Sequence, residues 1–130
     1  MREAVVAIRV RKIIKHACTF NRIESGSTGL GIPDVFVQIQ EPAVSLWIEL
    51  KSCKSLKRSG VVKPVWQPGQ LNWARKHQLY KGHWALICSV DGDLRYTFEP
   101  KKEYENRELG VFYGFDSVFF ERLKEKFLQD

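Results

Sequence analysis

Residues 34–51 constrain this chain most: two strand-forming runs flank a proline. Val35 to Gln40 is rich in β-branched and aromatic residues and reads as a strand. Glu41-Pro42-Ala43 suits a turn, and Ser45 to Lys51 reads as the next strand. Side chains on a strand alternate faces. Trp47, Glu49 and Lys51 therefore share one face, and Leu46, Ile48 and Leu50 take the opposite, core-facing side. If the two strands pair through the turn, the start of the first lies beside the end of the second. Asp34 and Glu49 then meet at one end of the hairpin. The bland alternative is an edge strand that ends in a solvated Glu and Lys.

Two carboxylates and a lysine on adjacent strands can hold a divalent metal and activate a water beside a phosphate. Mg²⁺ takes oxygen ligands and keeps several waters, so it suits Asp34 and Glu49 better than Zn²⁺ does, with Mn²⁺ able to substitute. Lys51 would orient the water or neutralise charge developing on the phosphate.

This pattern resembles the PD-(D/E)xK nuclease superfamily, with Pro33-Asp34 and Glu49-Leu50-Lys51 as its signature and Gly31 preceding in a Gly-x-Pro-Asp arrangement. Downstream, Pro68-Gly69-Gln70-Leu71-Asn72-Trp73 is similar to the Gln-x-x-Trp element of virus-type replication-repair (VRR-NUC) nuclease domains and small phage nucleases. Archaeal-type Holliday junction resolvases belong to the same superfamily. The likeness covers roughly residues 3–90. It implies a restriction-endonuclease-like core and a metal-dependent DNA endonuclease, with Asp34, Glu49, Lys51 and Gln70 catalytic. It also implies Glu3, on the first helix, as a third metal ligand beside Asp34 and Glu49. The alternative role for Glu3 is compensation of the helix dipole. Branched DNA, as in Holliday junction resolution during recombination and repair, is the expected substrate. Linear or single-stranded DNA, as for phage-type nucleases, is the alternative. A catalytically silent nucleic-acid-binding module is the reading from outside the enzyme class.

The charge is segregated. From Leu50 to Val90 there is no Asp or Glu, while Lys51, Lys54, Lys57, Arg58, Lys63, Arg75, Lys76 and Lys81 all fall there. That segment carries +8 of a net +6, leaving −2 for the rest. Such a field is expected of a surface that tracks a phosphate backbone. Lys54, Lys57, Arg58, Lys63, Arg75 and Lys76, with Arg22 just upstream of the site, are the candidate DNA contacts. Asn21 is a weaker one.

At 130 residues the chain fits one domain, read as a nuclease domain spanning 1–130, and 44% hydrophobic residues exclude disorder. No apolar run reaches membrane-spanning length, so no membrane association is expected. Cys18, Cys53 and Cys88 are odd in number, without a CxxC, and read as reduced thiols of a cytoplasmic protein. The likeness to phage nucleases points to a phage or prokaryotic origin.

The spacing predicts a helix from Glu3 to about His16, with Glu3, Ala7, Val10 and Ile14 on one face. A strand over Thr19–Ile23, a glycine-containing loop over residues 24–31 and a basic loop over Ser52–Gln67 follow. Pro68 opens a helix running to about Tyr80 and stopped by Gly82. Trp84–Val90 and Leu94–Phe98 are strands around an Asp91-Gly92-Asp93 turn. Residues 99–110 look irregular, with a partial helix. Asp116 or Ser117 caps a last helix bearing Phe120, Leu123 and Phe127. Helices before, between and after strands imply an α/β fold with a central mixed sheet flanked by helices. His77 and His83 lack partners at ligand spacing and are expected to be exposed. Phe112, Tyr113, Phe115, Phe119 and Phe120 either complete the core or form a homodimer interface. A homodimer is expected, because a single site cuts one strand and a junction needs two sites.

Overall fold

A computed structural model describes residues 3–23, 31–53, 55–56 and 60–127. The glycine-containing loop expected over residues 24–31 falls, apart from Gly31, outside the described residues, as do Lys54, Lys57 and Arg58.

The hairpin that the sequence announces is the spine of the fold. Strand β2 (Val35–Ile39) pairs antiparallel with β3 (Val44–Cys53), and Val35 faces Ile48. Strand β1 (Cys18–Arg22) pairs with the other edge of β2. β3 then pairs in parallel with β6 (Trp84–Val90), which requires a crossover connection. β7 (Asp93–Thr97) returns antiparallel to β6, and the short β9 (Gly110–Val111) completes the order β1-β2-β3-β6-β7-β9. The β6–β7 turn is a two-residue loop in which Asp91 (φ 51°) and Gly92 (φ 94°) both take left-handed conformations. That matches the Asp-Gly signal for a type I′ hairpin. The sheet is mixed and is flanked by helices, as the sequence predicts.

Two layers cover the sheet. Helix α1 (Glu3–Ile14) and helix α3 (Ser117–Phe127) pack on the face carrying Leu46, Ile48 and Leu50. Val6, Ala7, Val10 and Ile14 are the buried row of α1. On the other face, helix α2 (Gln70–Leu79) and a small sheet of β4 (Ser55–Leu56), β5 (Val61–Val62) and β8 (Tyr104–Glu105) close over Leu86, Cys88 and Val90. Covered on both sides, all seven residues of β6 are buried.

Several expectations are corrected. The basic loop is partly structured: β3 runs on to Cys53, and β5 pairs with both β4 and β8. Two-residue strands show no alternation, and β8 lies far along the chain, so no local signal announced them. Residues 99–110 hold β8, a 3₁₀ turn (Asn106–Glu108) and the start of β9. Helix α2 ends at Leu79, and Lys81 takes the left-handed conformation (φ 62°) expected of a glycine. Gly82 lies against His77: a Cβ there would fall 2.1 Å from the imidazole ring, which would have to shift. Asp116 is the cap of α3, accepting a 2.9 Å hydrogen bond from the Phe119 N–H. The buried row of α3 is centred on Phe119 and Leu123, with Phe120 and Phe127 at its margins.

The aromatic segment completes the core. Phe112 and Phe119 are buried, and Phe115 and Phe120 pack against them. Phe119 is 0% exposed and cannot serve as an interface residue, while Tyr113 points out at 76%. His77 and His83 are half-buried instead of exposed. His77 stacks on Trp73, and His83 places Nδ1 3.1 Å from the Ser45 carbonyl oxygen. The three cysteines are buried free thiols. No helix among the described residues is long and apolar enough to cross a membrane.

Candidate active site

The β2–β3 pairing brings the start of one strand to the end of the other. Asp34, just before β2, accepts a 3.0 Å hydrogen bond at Oδ2 from the Leu50 N–H. That bond ties the Asp34 carboxylate beside Glu49. The Ile23 N–H bonds to the Asp34 carbonyl at 2.7 Å and anchors the same residue from the β1 side.

Glu49 and Lys51 are not at a solvated edge. β3 is internal to the sheet, and the two side chains stand on its α2-facing side, 1% and 3% exposed as residues. A buried charge is costly unless it is paired, and each of these is held by several partners. Gln70, the first residue of α2, links them. Its Oε1 accepts from Lys51 Nζ at 2.9 Å, and its Nε2 donates to Glu49 Oε1 at 2.9 Å. The Gln67 N–H also reaches Gln70 Oε1, at 2.8 Å, which fixes the amide orientation. The Gln70 side chain is thus the bridge between Glu49 and Lys51. Lys51 Nζ lies 3.7 Å from Glu49 and 3.5 Å from Glu3, and 5.7 Å from the centre of the Trp66 ring.

Backbone packing holds α2 there. Gly31 (φ 93°) and Gly69 (φ 86°) are both left-handed. A Cβ on Gly31 would lie 2.3 Å from the Gly69 carbonyl oxygen, which no rearrangement of a flexible side chain could relieve. The segment leading to Pro33-Asp34 therefore lies directly against the N-terminus of α2, where Gln70 sits.

Burial is the largest influence on Glu49, followed by the Asp34 carboxyl that shares a hydrogen bond with it, and together they push its pKa up to about 9. Lys51 opposes this shift, and Glu3 adds to it. Two carboxylates held this close, with only oxygen donors, form a site deficient in positive charge. Its donor chemistry fits a hard divalent cation. Among the described residues no three acids, histidines or cysteines converge as a ready-made metal cluster. The half-exposed Glu3 side chain, on the first turn of α1, lies 3.5 Å from the Lys51 ammonium.

Of the candidate phosphate contacts, Arg22, Lys63, Arg75 and Lys76 are all exposed. Lys63 pairs with Glu103 at 3.6 Å, and Arg75 Nε donates to the Pro100 carbonyl at 3.3 Å. Sequence reasoning missed Trp66, whose ring walls Lys51, and the contact of Gly31 with Gly69. An aromatic residue within the basic stretch and the Pro68-Gly69 pair before Gln70 were the available signals.

The fold is similar to a solved structure of Hjc, a Holliday junction resolvase from the archaeal hyperthermophile Archaeoglobus fulgidus. The TM-score is 0.57 at 12% identity, over 85% of this chain and 92% of that one. No family model and no curated protein sequence matches the chain. The structural likeness agrees with the α/β arrangement of a central mixed sheet between helices.

Proposed function

We propose that this chain is a Mg²⁺-dependent DNA endonuclease of the PD-(D/E)xK type, with residues 1–130 forming one nuclease domain that acts on branched DNA. The observation that carries this reading is the buried Glu49–Gln70–Lys51 interlock beside Asp34. A protein that only binds DNA has no use for a lysine and a glutamate held out of water at such cost. The likeness to a Holliday junction resolvase supports branched DNA as the substrate class.

Asp34 and Glu49 would hold the cation, which when bound polarises the scissile phosphate and lowers the pKa of a bound water. Lys51 presents its ammonium towards the developing phosphate charge. Gln70 fixes that ammonium through Oε1, so the lysine does not reorganise during the reaction. Glu3 adds negative charge beside Lys51 and Glu49 and would serve as a further metal ligand. Arg22, Lys54, Lys57, Arg58, Lys63, Arg75 and Lys76 supply phosphate contacts. Two copies in a C2 homodimer would present two sites to a four-way junction.

The test is cleavage of a labelled four-way junction in Mg²⁺ against EDTA, beside duplex and single-strand controls. Asp34→Asn and Glu49→Gln should each fall by about a thousandfold or more, the equivalent of losing several kcal/mol of transition-state stabilisation. Binding to the junction should change little. Cleavage by Asp34→Asn at the wild-type rate would sink the assignment.

A further inference from the structure

The face that carries Glu49 and Gln70 also carries a row of rings that the proposed chemistry does not use. Phe36 and Trp47 are cross-strand partners on β2 and β3, with ring centroids 4.8 Å apart. Trp47 meets Trp73 edge-on at 5.4 Å, and Trp73 stacks on His77 at 4.7 Å with planes 20° apart. All four are only half-buried. Tyr80 continues the Gln70, Trp73, His77 row at helical spacing and is 80% exposed.

This row begins at the active site. Trp47 precedes Glu49 by one alternation on β3, and Trp73 follows Gln70 by one turn of α2. Lys76, next to His77 on the same helix, is exposed, and no acid occurs in the sequence between Leu50 and Val90. Cations beside partly exposed aromatic rings are the combination by which proteins hold unpaired nucleic-acid strands. The charges track phosphates, and the rings stack on bases without reading sequence. A duplex keeps its base faces inside its own stack, so only unpaired bases can use the rings.

Resting on the nuclease reading above, we propose that the row from Phe36 through Trp47, Trp73 and His77 to Tyr80 is a stacking platform for unpaired bases next to the phosphate held at Lys51. The preferred substrate is then DNA with a single-stranded segment at the cut, as at a fork or an opened junction.

The experiment uses fluorescence anisotropy in EDTA with a labelled forked duplex. One fork carries an oligo-dT arm, and the other carries the same arm built of abasic spacers. The phosphates are identical, so electrostatic attraction is the same for both. Wild type should bind the oligo-dT fork about tenfold more tightly or better. Trp73→Leu should remove most of that preference and Tyr80→Ala part of it, with the salt dependence unchanged. Tyr80 is exposed, so its variant tests the platform even if Trp73→Leu fails to fold by circular dichroism. Equal binding of both forks by wild type overturns the proposal, as does full base preference in Tyr80→Ala and a folded Trp73→Leu. Failure of the nuclease reading shows separately, as no Mg²⁺-dependent cleavage by a protein that still prefers bases. Cleavage without base preference overturns the platform alone.

Discussion

The two faces of β3 are built from one ten-residue strand, yet they differ in kind. Leu46, Ile48 and Leu50 enter a core under α1 and α3 that is apolar throughout. Trp47, Glu49 and Lys51 enter a smaller cluster under α2, where two ionisable groups are nearly as buried as the leucines. One face supplies stability through apolar area removed from water. The other gives up stability to keep ionisable groups in a dry, fixed arrangement, which suits the proposed active site. Where a fold is strong and where it does its chemistry can thus be separated by a single alternation along one strand.

Breaking the apolar face should have the largest effect on stability. Phe119 is fully buried among Tyr96, Phe98, Phe112 and Phe115. Phe119→Ala should cost about 3–5 kcal/mol in urea unfolding, with the residual fold still able to hold the site if it survives. A loss under about 1 kcal/mol would mean that the aromatic segment is not core.

The polar face should respond in the opposite sense. The pKa of Glu49 is raised from 4.5 to about 9 by burial and by Asp34, so the folded state keeps a proton that the unfolded state releases. Metal-free protein should therefore lose stability as pH rises between those values. Glu49→Gln has no proton to release, so its thermal midpoint in EDTA should be flatter over the same range and should exceed the wild-type midpoint near pH 9. Parallel pH profiles for the two proteins would refute a buried, proton-holding Glu49.

Surface charge sharpens the contrast further. Junction binding should weaken with salt along a log–log slope of about −4 to −7, if roughly five to eight phosphates are neutralised. Replacing Lys54, Lys57 and Arg58 together by Ala should flatten the slope by roughly two to three. An unchanged slope would move the phosphate path to the α2 side, around Arg75 and Lys76. Tyr113→Ala, at a ring 76% exposed beside the apolar core, should alter stability by no more than about 0.5 kcal/mol.

Local pattern was sufficient for the elements that matter most. Alternation fixed which face of β3 carries Glu49 and Lys51, and the Asp91-Gly92 pair announced its hairpin turn. The pairing of β2 with β3 followed from the turn at Pro42, and with it the approach of Asp34 to Glu49. Gln70 was picked out by the Gln-x-x-Trp element, and its side chain meets Lys51 and Glu49. These features depend on residues near one another in sequence, so periodicity and turn chemistry encode them directly.

What the sequence could not determine depended on partners brought from elsewhere. The two-residue strand β5 is held between β4 and the distant β8, and no two-residue run has a period to read. The burial of Lys51 required α2 and Trp66 to close over it, whereas a Glu-x-Lys strand end by itself is equally consistent with a solvated edge. The approach of Glu3 to Lys51 and Glu49 required α1 to pack across the sheet, which no local pattern encodes. The choice for the C-terminal aromatics, between core and interface, was likewise made by the sheet that α3 found to cover. A sequence specifies which side of an element is apolar or charged, but only the assembled fold supplies the surface that side meets, and desolvation acts only once that surface is in place.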